Sequence, residues 1–586
     1  MNGPRESSDV GLVVLAAGGV LAGVLWAGGA ASALVCGRRV PGGRPLAGLA
    51  ALAHLGHPSA AWGKPVGPTA VYWAVTAVLV LVVAVVVMAV VSLARRRPSR
   101  RDDPCRVEGL ASRSQAAGAA GKRPLLERSG TLRPSLGRPA VGEVGFRLGR
   151  SRGVECWMSV EDSMVLLGPP RSGKGFNVVI PAILDAPGAV VTTSTRPDNL
   201  TVTLAARSKV GPAAVFDPQR LADGVPGGLR WSPVRGCEHP RTAMLRAAAL
   251  CADTGESVAD GSYWRQQTQI AVRCLLHAAA VGGRPTSALY HWSLSAAMAR
   301  EAVEILSTDP AACPGWGKAL DSVCAADPRT RDSIWSMVTN TFSALADPDV
   351  LAALSPRHGE RFDPVTFLRD KGTLYLLGTA AGASATANLV TALVEDVVES
   401  ARRLAAGSAG ARLDPPLAVV LDEAANYPLP SLPALMSEGG GSGITTMAVL
   451  QSLAQARDKW GREQAGAIWD SAIVKVVLGG SANADDLADI SRLIGDRDVE
   501  ERSVSTGHGG RTVATSTRSR PILEPAMIRR IGVGHGLLLL RSAPPIILDL
   551  QPWTARGDAA QLRASRTDLE ARIRATALQS ASSDGA

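Results

Sequence analysis

Two long runs near the N-terminus contain no charged residue, one between Asp9 and Arg38 and one between Lys64 and Arg95. Their apolar parts, about 10–35 and 71–93, each exceed 20 residues, enough as helix to cross a hydrocarbon core roughly 30 Å thick. The second opens on Tyr72 and Trp73, an interfacial aromatic pair, and stops at Arg95, Arg96 and Arg97. The first is rich in Gly and Ala, and Arg5 is faced by Glu6 and Asp9, unlike the basic start of a secretory signal. The pattern predicts an anchor of two transmembrane helices over 1–94 in the plasma membrane. The larger arginine cluster places both termini in the cytoplasm, although Arg38, Arg39 and Arg44 between the helices oppose that orientation.

Apolar periodicity disappears over 95–145, a stretch of Pro, Gly, Ser and Arg. It reads as a basic linker touching anionic membrane lipid. Beyond it come two short runs that are apolar throughout, Met164–Leu167 and Leu417–Leu421, and a third strand-like run, Ile444–Leu450, that includes Thr445 and Thr446. Short apolar runs of this kind predict buried strands. The first feeds a glycine-rich loop and then Phe176-Asn177-Val178-Val179-Ile180, a strand–loop–helix unit.

A chain of 586 residues with 46% hydrophobic and 19% charged positions is globular, not disordered, and long enough for several domains. Aromatic residues, at 4%, are too few to suggest a platform of stacked bases. The 8 cysteines form no C-x-x-C pair and read as reduced, buried thiols. The net charge of +10 is local: residues 1–94 carry +3, residues 95–138 carry +8, and the remaining body is left at −1. The high pI therefore marks the membrane-proximal segment and not a DNA-binding face on the body.

The loop reads Gly168, Pro169, Pro170, Arg171, Ser172, Gly173, Lys174, Gly175, Phe176, a G-x-x-x-x-G-K pattern. Glycines let backbone N–H groups turn inwards around phosphate oxygens, and the following helix N-terminus adds partial positive charge. Lys174 is placed to reach β- and γ-phosphates. Gly175 stands where such loops usually offer Mg²⁺ a Ser or Thr hydroxyl. Asp422 and Glu423 close the second apolar run, a Walker B arrangement in which Asp422 holds Mg²⁺ and Glu423 orients the attacking water. Gln451, at the tip of the third run, is a candidate to sense the γ-phosphate.

These residues resemble a known family. The loop GPPRSGKG, then Asp217-Pro218 and Trp231-Ser232-Pro233, LDEAANYPLPSLPALMSEGGGSGI around Asp422, and Gln451-Ser452-Leu453-Ala454-Gln455 are similar to the type IV coupling proteins of the TraG/TraD group. Ile490-Ser491-Arg492 with Gly495, and the stretch Pro521–Ile531, fit as well, so the resemblance runs from about Phe146 to Trp553. Many members resemble this chain in having Gly after the loop lysine. The resemblance implies an α/β fold: a RecA-like P-loop ATPase core, 146–240 and 353–555, interrupted by an all-α domain over 241–352 and followed by a tail, 556–586. Trp264, Trp316 and Trp335 would lie in the core of that helical domain. It implies ATP and Mg²⁺ as cofactors and a homo-hexameric ring. It also implies delivery of DNA, with a relaxase or other nucleoprotein substrate, to the membrane proteins of a conjugative or type IV secretion channel.

The chain departs from the family pattern at Thr195-Arg196-Pro197-Asp198-Asn199, where relatives often carry an acidic-Lys-Gly turn. Two other readings stay open: an FtsK-type double-stranded DNA translocase, and a receptor for protein-only secretion substrates. The polar stretch Arg502–Arg520, with Arg511, Arg518 and Arg520, reads either as a DNA-contacting channel loop or as an exposed connection.

Overall fold

The computed structural model describes residues 5–40, 42, 46–95, 104–252, 261–357, 359–378, 384–507 and 510–583. The chain divides into two compact units, Met1–Asp103 and Pro104–Ala586.

The first unit holds the helices Arg5–Val35, Leu46–Ala53 and Thr69–Arg95. The small residues of the first helix let its neighbours come close. A β-carbon on Gly28 would stand 2.2 Å from Thr76 Oγ1, and one on Gly29 would stand 2.6 Å from the Trp62 ring. The Tyr72 hydroxyl donates to the Leu25 carbonyl at 3.2 Å. Both stretches are helical. Among the described residues Thr69–Met88, 20 residues, is long and apolar enough to cross a membrane, and Gly19–Val35 is a shorter apolar helix, so two spans are not supported.

The second unit is built on an eleven-stranded sheet in the order β2-β1-β13-β12-β9-β3-β8-β7-β4-β6-β5. Its strands are β1 (Gly145–Ser151), β2 (Val154–Ser159), β3 (Met164–Leu167), β4 (Val190–Ser194), β5 (Ala213–Phe216), β6 (Thr373–Leu377), β7 (Leu417–Leu421), β8 (Ile444–Leu450), β9 (Val474–Leu478), β12 (His535–Leu540) and β13 (Ile546–Asp549). From β9 to β5 every pairing is parallel; β12, β13, β1 and β2 extend the other edge antiparallel. Alternate residues of β3 enter different cores, Val165 and Leu167 one, Met164 and Leu166 the other. In β7 the same split separates Leu417, Val419 and Leu421 from Ala418 and Val420. Burial on both faces is why these strands are uninterrupted apolar runs.

Between β5 and β6 the chain forms helices from Pro240 to Ala353. Trp292, Trp316 and Trp335 are buried there, while Trp264 is half-buried against the same core.

Three readings of the connecting segments change. Residues 104–144 are not a linker: Ser112 and Gln115 form a capping box for the helix Arg113–Ala120, whose Ala116 and Ala120 are buried. Arg133, also buried, pairs with Asp414 at 2.5 Å and with Glu143 at 3.0 Å. The described part of the expected tail, 556–583, is not a free segment either, because the helix Ala559–Ser583 buries Leu562 and Leu569. Finally, the stretch around Arg502–Arg520 is a hairpin of β10 (Asp496–Gly507) and β11 (Gly510–Pro521), paired in unbroken register. It forms a sheet of its own. Its sequence shows no sustained apolar alternation: Val499, Val504 and Val513 stand among Ser, Thr, Arg and acidic residues.

Candidate functional site

The order β3-β8-β7 brings two loops to one edge of the sheet, because parallel strands all release their chains at the same end. From β3 the glycine-rich loop turns into the helical stretch Gly175–Asp185. Gly173 has φ +87, and a β-carbon there would collide with Asn177 Nδ2 at 2.5 Å, so this turn requires glycine. Asn177 Nδ2 in turn donates to the Gly173 carbonyl at 3.1 Å. Lys174 is buried and its Nζ donates to the Gly168 carbonyl at 2.7 Å, folding the side chain back over the loop. Burial pulls its pKa down, while the carboxylates of Asp422 and Glu423 oppose that shift.

Asp422 and Glu423 leave β7 opposite this loop. Desolvation pushes the Asp422 carboxyl up to about 6, helped by the neighbouring Glu423 charge and resisted by the hydrogen bond from Asn199 and the charge of Lys174. Asn199 Nδ2 donates to Asp422 Oδ2 at 3.2 Å, and Thr193 Oγ1 donates to the Asp422 backbone carbonyl at 3.0 Å. Glu423 sits at φ 53, ψ 49, left-handed backbone that non-glycine residues seldom adopt. Thr195 Oγ1 at 2.7 Å and Asn426 Nδ2 at 3.0 Å both donate to its Oε2, which leaves Oε1 for another partner.

A cleft of about 510 Å³ joins these groups, lined by Pro170 through Phe176, by the 194–199 turn, by Asp422 and Glu423, and by Trp553 and Arg566. Phe176 meets Trp553 edge-on, with ring centroids 5.9 Å apart. Gly168 and Pro169 form the approach to the loop and are not among the lining residues. Gln451 does not line the cleft either; it follows Leu450, whose carbonyl accepts from the Gly168 N–H at 3.1 Å. Arg196, in the turn that departs from the family pattern, is 76% exposed and pairs with Asp198 at 3.4 Å. Thr195, Asn199, Trp553 and Arg566 carried no sequence motif, and Asn426 lay within the LDEAAN stretch with no role assigned to it. Only the unusual Thr195–Asn199 turn marked two of them.

The raised Asp422 pKa has a consequence for stability. An unfolded chain ionises this group near 3.8, but the folded one keeps its proton up to about pH 6 and above that must hold a charge away from water. The folded state is therefore penalised as pH rises through that window, fully above it and not at all below it. Asp422→Asn should raise the unfolding free energy of the nucleotide-free protein by about 1–3 kcal/mol near neutral pH, with the gain vanishing towards pH ~4. Urea unfolding at the two pH values measures this, and equal stability near neutral pH would contradict it.

Two family models match the chain. Residues 116–237 match the type IV secretory system conjugative DNA transfer family, and residues 416–532 match the TraM recognition site of TraD and TraG. Over these two segments the chain resembles the TraG/TraD-type coupling proteins. No curated protein sequence matches it. Among solved structures, it is similar to the unbound bacterial conjugative coupling protein TrwBΔN70, with 18% identity, a TM-score of 0.52, and 72% of this chain and 91% of that one covered. Plasmid coupling protein TrwB with the non-hydrolysable ATP analogue ADPNP matches at 18% identity and a TM-score of 0.52, over 72% and 92% of the two chains. TrwB with ADP and Mg²⁺ matches at 18% and 0.50, over the same 72% and 92%. At this identity the likeness establishes the mixed α/β fold.

Proposed function

We propose that this TraG/TraD-type chain is a membrane-anchored ATP hydrolase that couples ATP turnover to the delivery of DNA, with a bound nucleoprotein substrate, into a conjugative secretion channel. The observation that carries the reading is the meeting of Lys174 with Asp422 and Glu423 in one cleft at the carboxyl ends of parallel strands. In this reading residues 146–240 and 353–555 form a RecA-like nucleotide-binding core and 241–352 an all-α domain. The protomers assemble as a hexameric ring.

The residues fit an Mg²⁺–nucleotide. The Ser172 hydroxyl is buried in the loop with no hydrogen-bond partner, as a donor awaiting an anion would be. Solved TrwB structures contain ADPNP in one case and ADP with Mg²⁺ in another. Lys174 exchanges the Gly168 carbonyl for phosphate oxygens, and the loop N–H groups and Ser172 bind the remaining oxygens. Asp422 holds the metal's shell. When bound, Mg²⁺ neutralises charge on the phosphates. Glu423 presents Oε1 to the attacking water, orients it and accepts its proton. Phe176, exposed at the cleft mouth and braced by Trp553, offers its ring to the nucleobase. Gln451 is left without a part in this mechanism.

Thr69–Met88 is the proposed membrane crossing, and the five arginines from Arg95 to Arg101 keep the large unit on the cytoplasmic side. The body's charge of −1 means that DNA contact falls to local groups. The β10–β11 hairpin is the candidate. Arg518 is 69% exposed and lies 4.0 Å from Glu501, and Arg520 pairs with the same carboxylate. The side chain of Arg511 lies outside the described residues.

The test is ATP turnover by the full-length chain in detergent, with and without DNA. Stimulation by DNA supports the coupling reading, and its absence favours a receptor for protein-only substrates. Replacing Arg511, Arg518 and Arg520 together by Ala should weaken the stimulation and flatten its log–log salt slope by up to about three. An unaltered slope would remove the hairpin from the DNA path.

A further inference from the structure

The glycine at position 175 removes the hydroxyl that a G-x-x-x-x-G-K loop normally offers to Mg²⁺. A side chain from another element stands at that place. Asn199 is the second residue of the helix Asp198–Arg207, which follows β4, and it is 3% exposed. The Thr203 hydroxyl donates to its backbone carbonyl at 2.7 Å, closing the helix turn beneath it. Its amide is oriented by its neighbour, because an ionised carboxylate only accepts hydrogen bonds and Nδ2 must therefore face Asp422. That bond, at 3.2 Å, turns Oδ1 towards the loop. A β-carbon built on Gly175 would lie 3.8 Å from Asn199 Oδ1, with no other atom from outside its own helical turn within 4 Å. Asn199 thus touches at once the acid proposed to hold the metal and the space that the missing hydroxyl would fill.

The other oxygen donors nearby are engaged or placed differently. Thr195 Oγ1 is committed to Glu423, and Ser172 belongs to the crown of the loop, where it is proposed to meet phosphate. A neutral amide oxygen is a hard ligand suited to Mg²⁺ and brings no extra negative charge beside Asp422 and Glu423. We infer that Asn199 supplies, through Oδ1, the metal-shell oxygen that the loop itself lacks at Gly175, either directly or through a metal-bound water. The site is then completed from the turn after β4 and not from the loop. This rests on the nucleotide reading of the cleft.

The test follows fluorescent ADP binding to the full-length chain in detergent as Mg²⁺ is titrated. Asn199→Leu, which keeps the volume and loses the oxygen, should leave Mg²⁺-free ADP affinity within about twofold and raise the Mg²⁺ concentration for half-effect about tenfold or more. Gly175→Ser added to Asn199→Leu should restore that concentration to within about threefold of the parent, because it returns an oxygen to the loop. The space at Gly175 and its ordinary backbone accommodate the serine. If Asn199 only steadied Asp422, the serine would restore nothing, and that result overturns the inference. An unchanged Mg²⁺ requirement in Asn199→Leu overturns it as well. Should the Leu variant not fold, as judged by its melting curve, Asn199→Ala provides the same comparison, since it too removes the side-chain oxygen. A parent chain that binds no ADP at any Mg²⁺ concentration would instead refute the nucleotide reading itself, and this inference with it.

Discussion

Glu423→Gln should cut ATP turnover by about 100-fold or more while leaving nucleotide affinity within about threefold. The reason lies in how the carboxylate is held. Thr195 and Asn426 both donate to Oε2, so a glutamine will place its carbonyl oxygen there and its amide NH₂ where Oε1 was. The atom facing the water then donates where it previously accepted. Orientation and proton acceptance are lost together, but nothing that holds the nucleotide has changed. Steady-state hydrolysis against fluorescent nucleotide binding separates the two effects. A Gln variant that hydrolyses ATP at the parent rate would remove Glu423 from the water-positioning role.

Lys174→Ala should act by the opposite route. Here affinity itself should fall by about 10- to 100-fold, since a charge-assisted contact to phosphate contributes roughly 1.5–3 kcal/mol. Turnover should fall with it, even at saturating ATP, because developing charge on the phosphates loses its nearest cation. Lys174 is well prepared for this exchange: it is already desolvated and bonded to the Gly168 carbonyl, so little solvent need be stripped when phosphate replaces that partner. Unchanged ADP affinity in the Ala variant would mean that the cleft binds its ligand elsewhere. The two variants together distinguish a nucleotide-hydrolysing cleft from an acidic strand end that merely neighbours a glycine-rich loop.

The membrane end and the hairpin illustrate different weaknesses of pattern reading. The first uncharged run is helical, as its composition suggests, but its Gly and Ala serve close packing against Thr76 and Trp62 and dilute its apolar character. Charge counting located the basic excess correctly between residues 95 and 138, yet the C-terminal part of that stretch is folded structure. Arg133, counted there as linker charge, is buried between Asp414 and Glu143. Arg520, singled out for DNA contact, is paired with Glu501 across the hairpin. Charge alone does not tell a solvated arginine from one already neutralised.

By itself the sequence determined the positions of β3 and β7 and of the polar groups that follow them. Strands buried on both faces favour apolar residues at successive positions, so Met164–Leu167 and Leu417–Leu421 stand out, and Lys174, Asp422 and Glu423 follow at fixed short distances from them. Tertiary structure alone decided that β8 separates the two strands and that the 194–199 turn closes the site. It also brought Trp553 and Arg566 to the cleft mouth. Asn199 meets Asp422 across 223 residues of chain, and Thr195 meets Glu423 across 228. Hydrogen bonds between single polar residues so far apart impose no periodicity on either segment. The same holds for Ala116 and Ala120, whose burial rests on how closely their helix approaches the sheet and not on strong apolar character. Local burial leaves a repeating trace along a chain, whereas contact between distant segments leaves none until the fold brings them together.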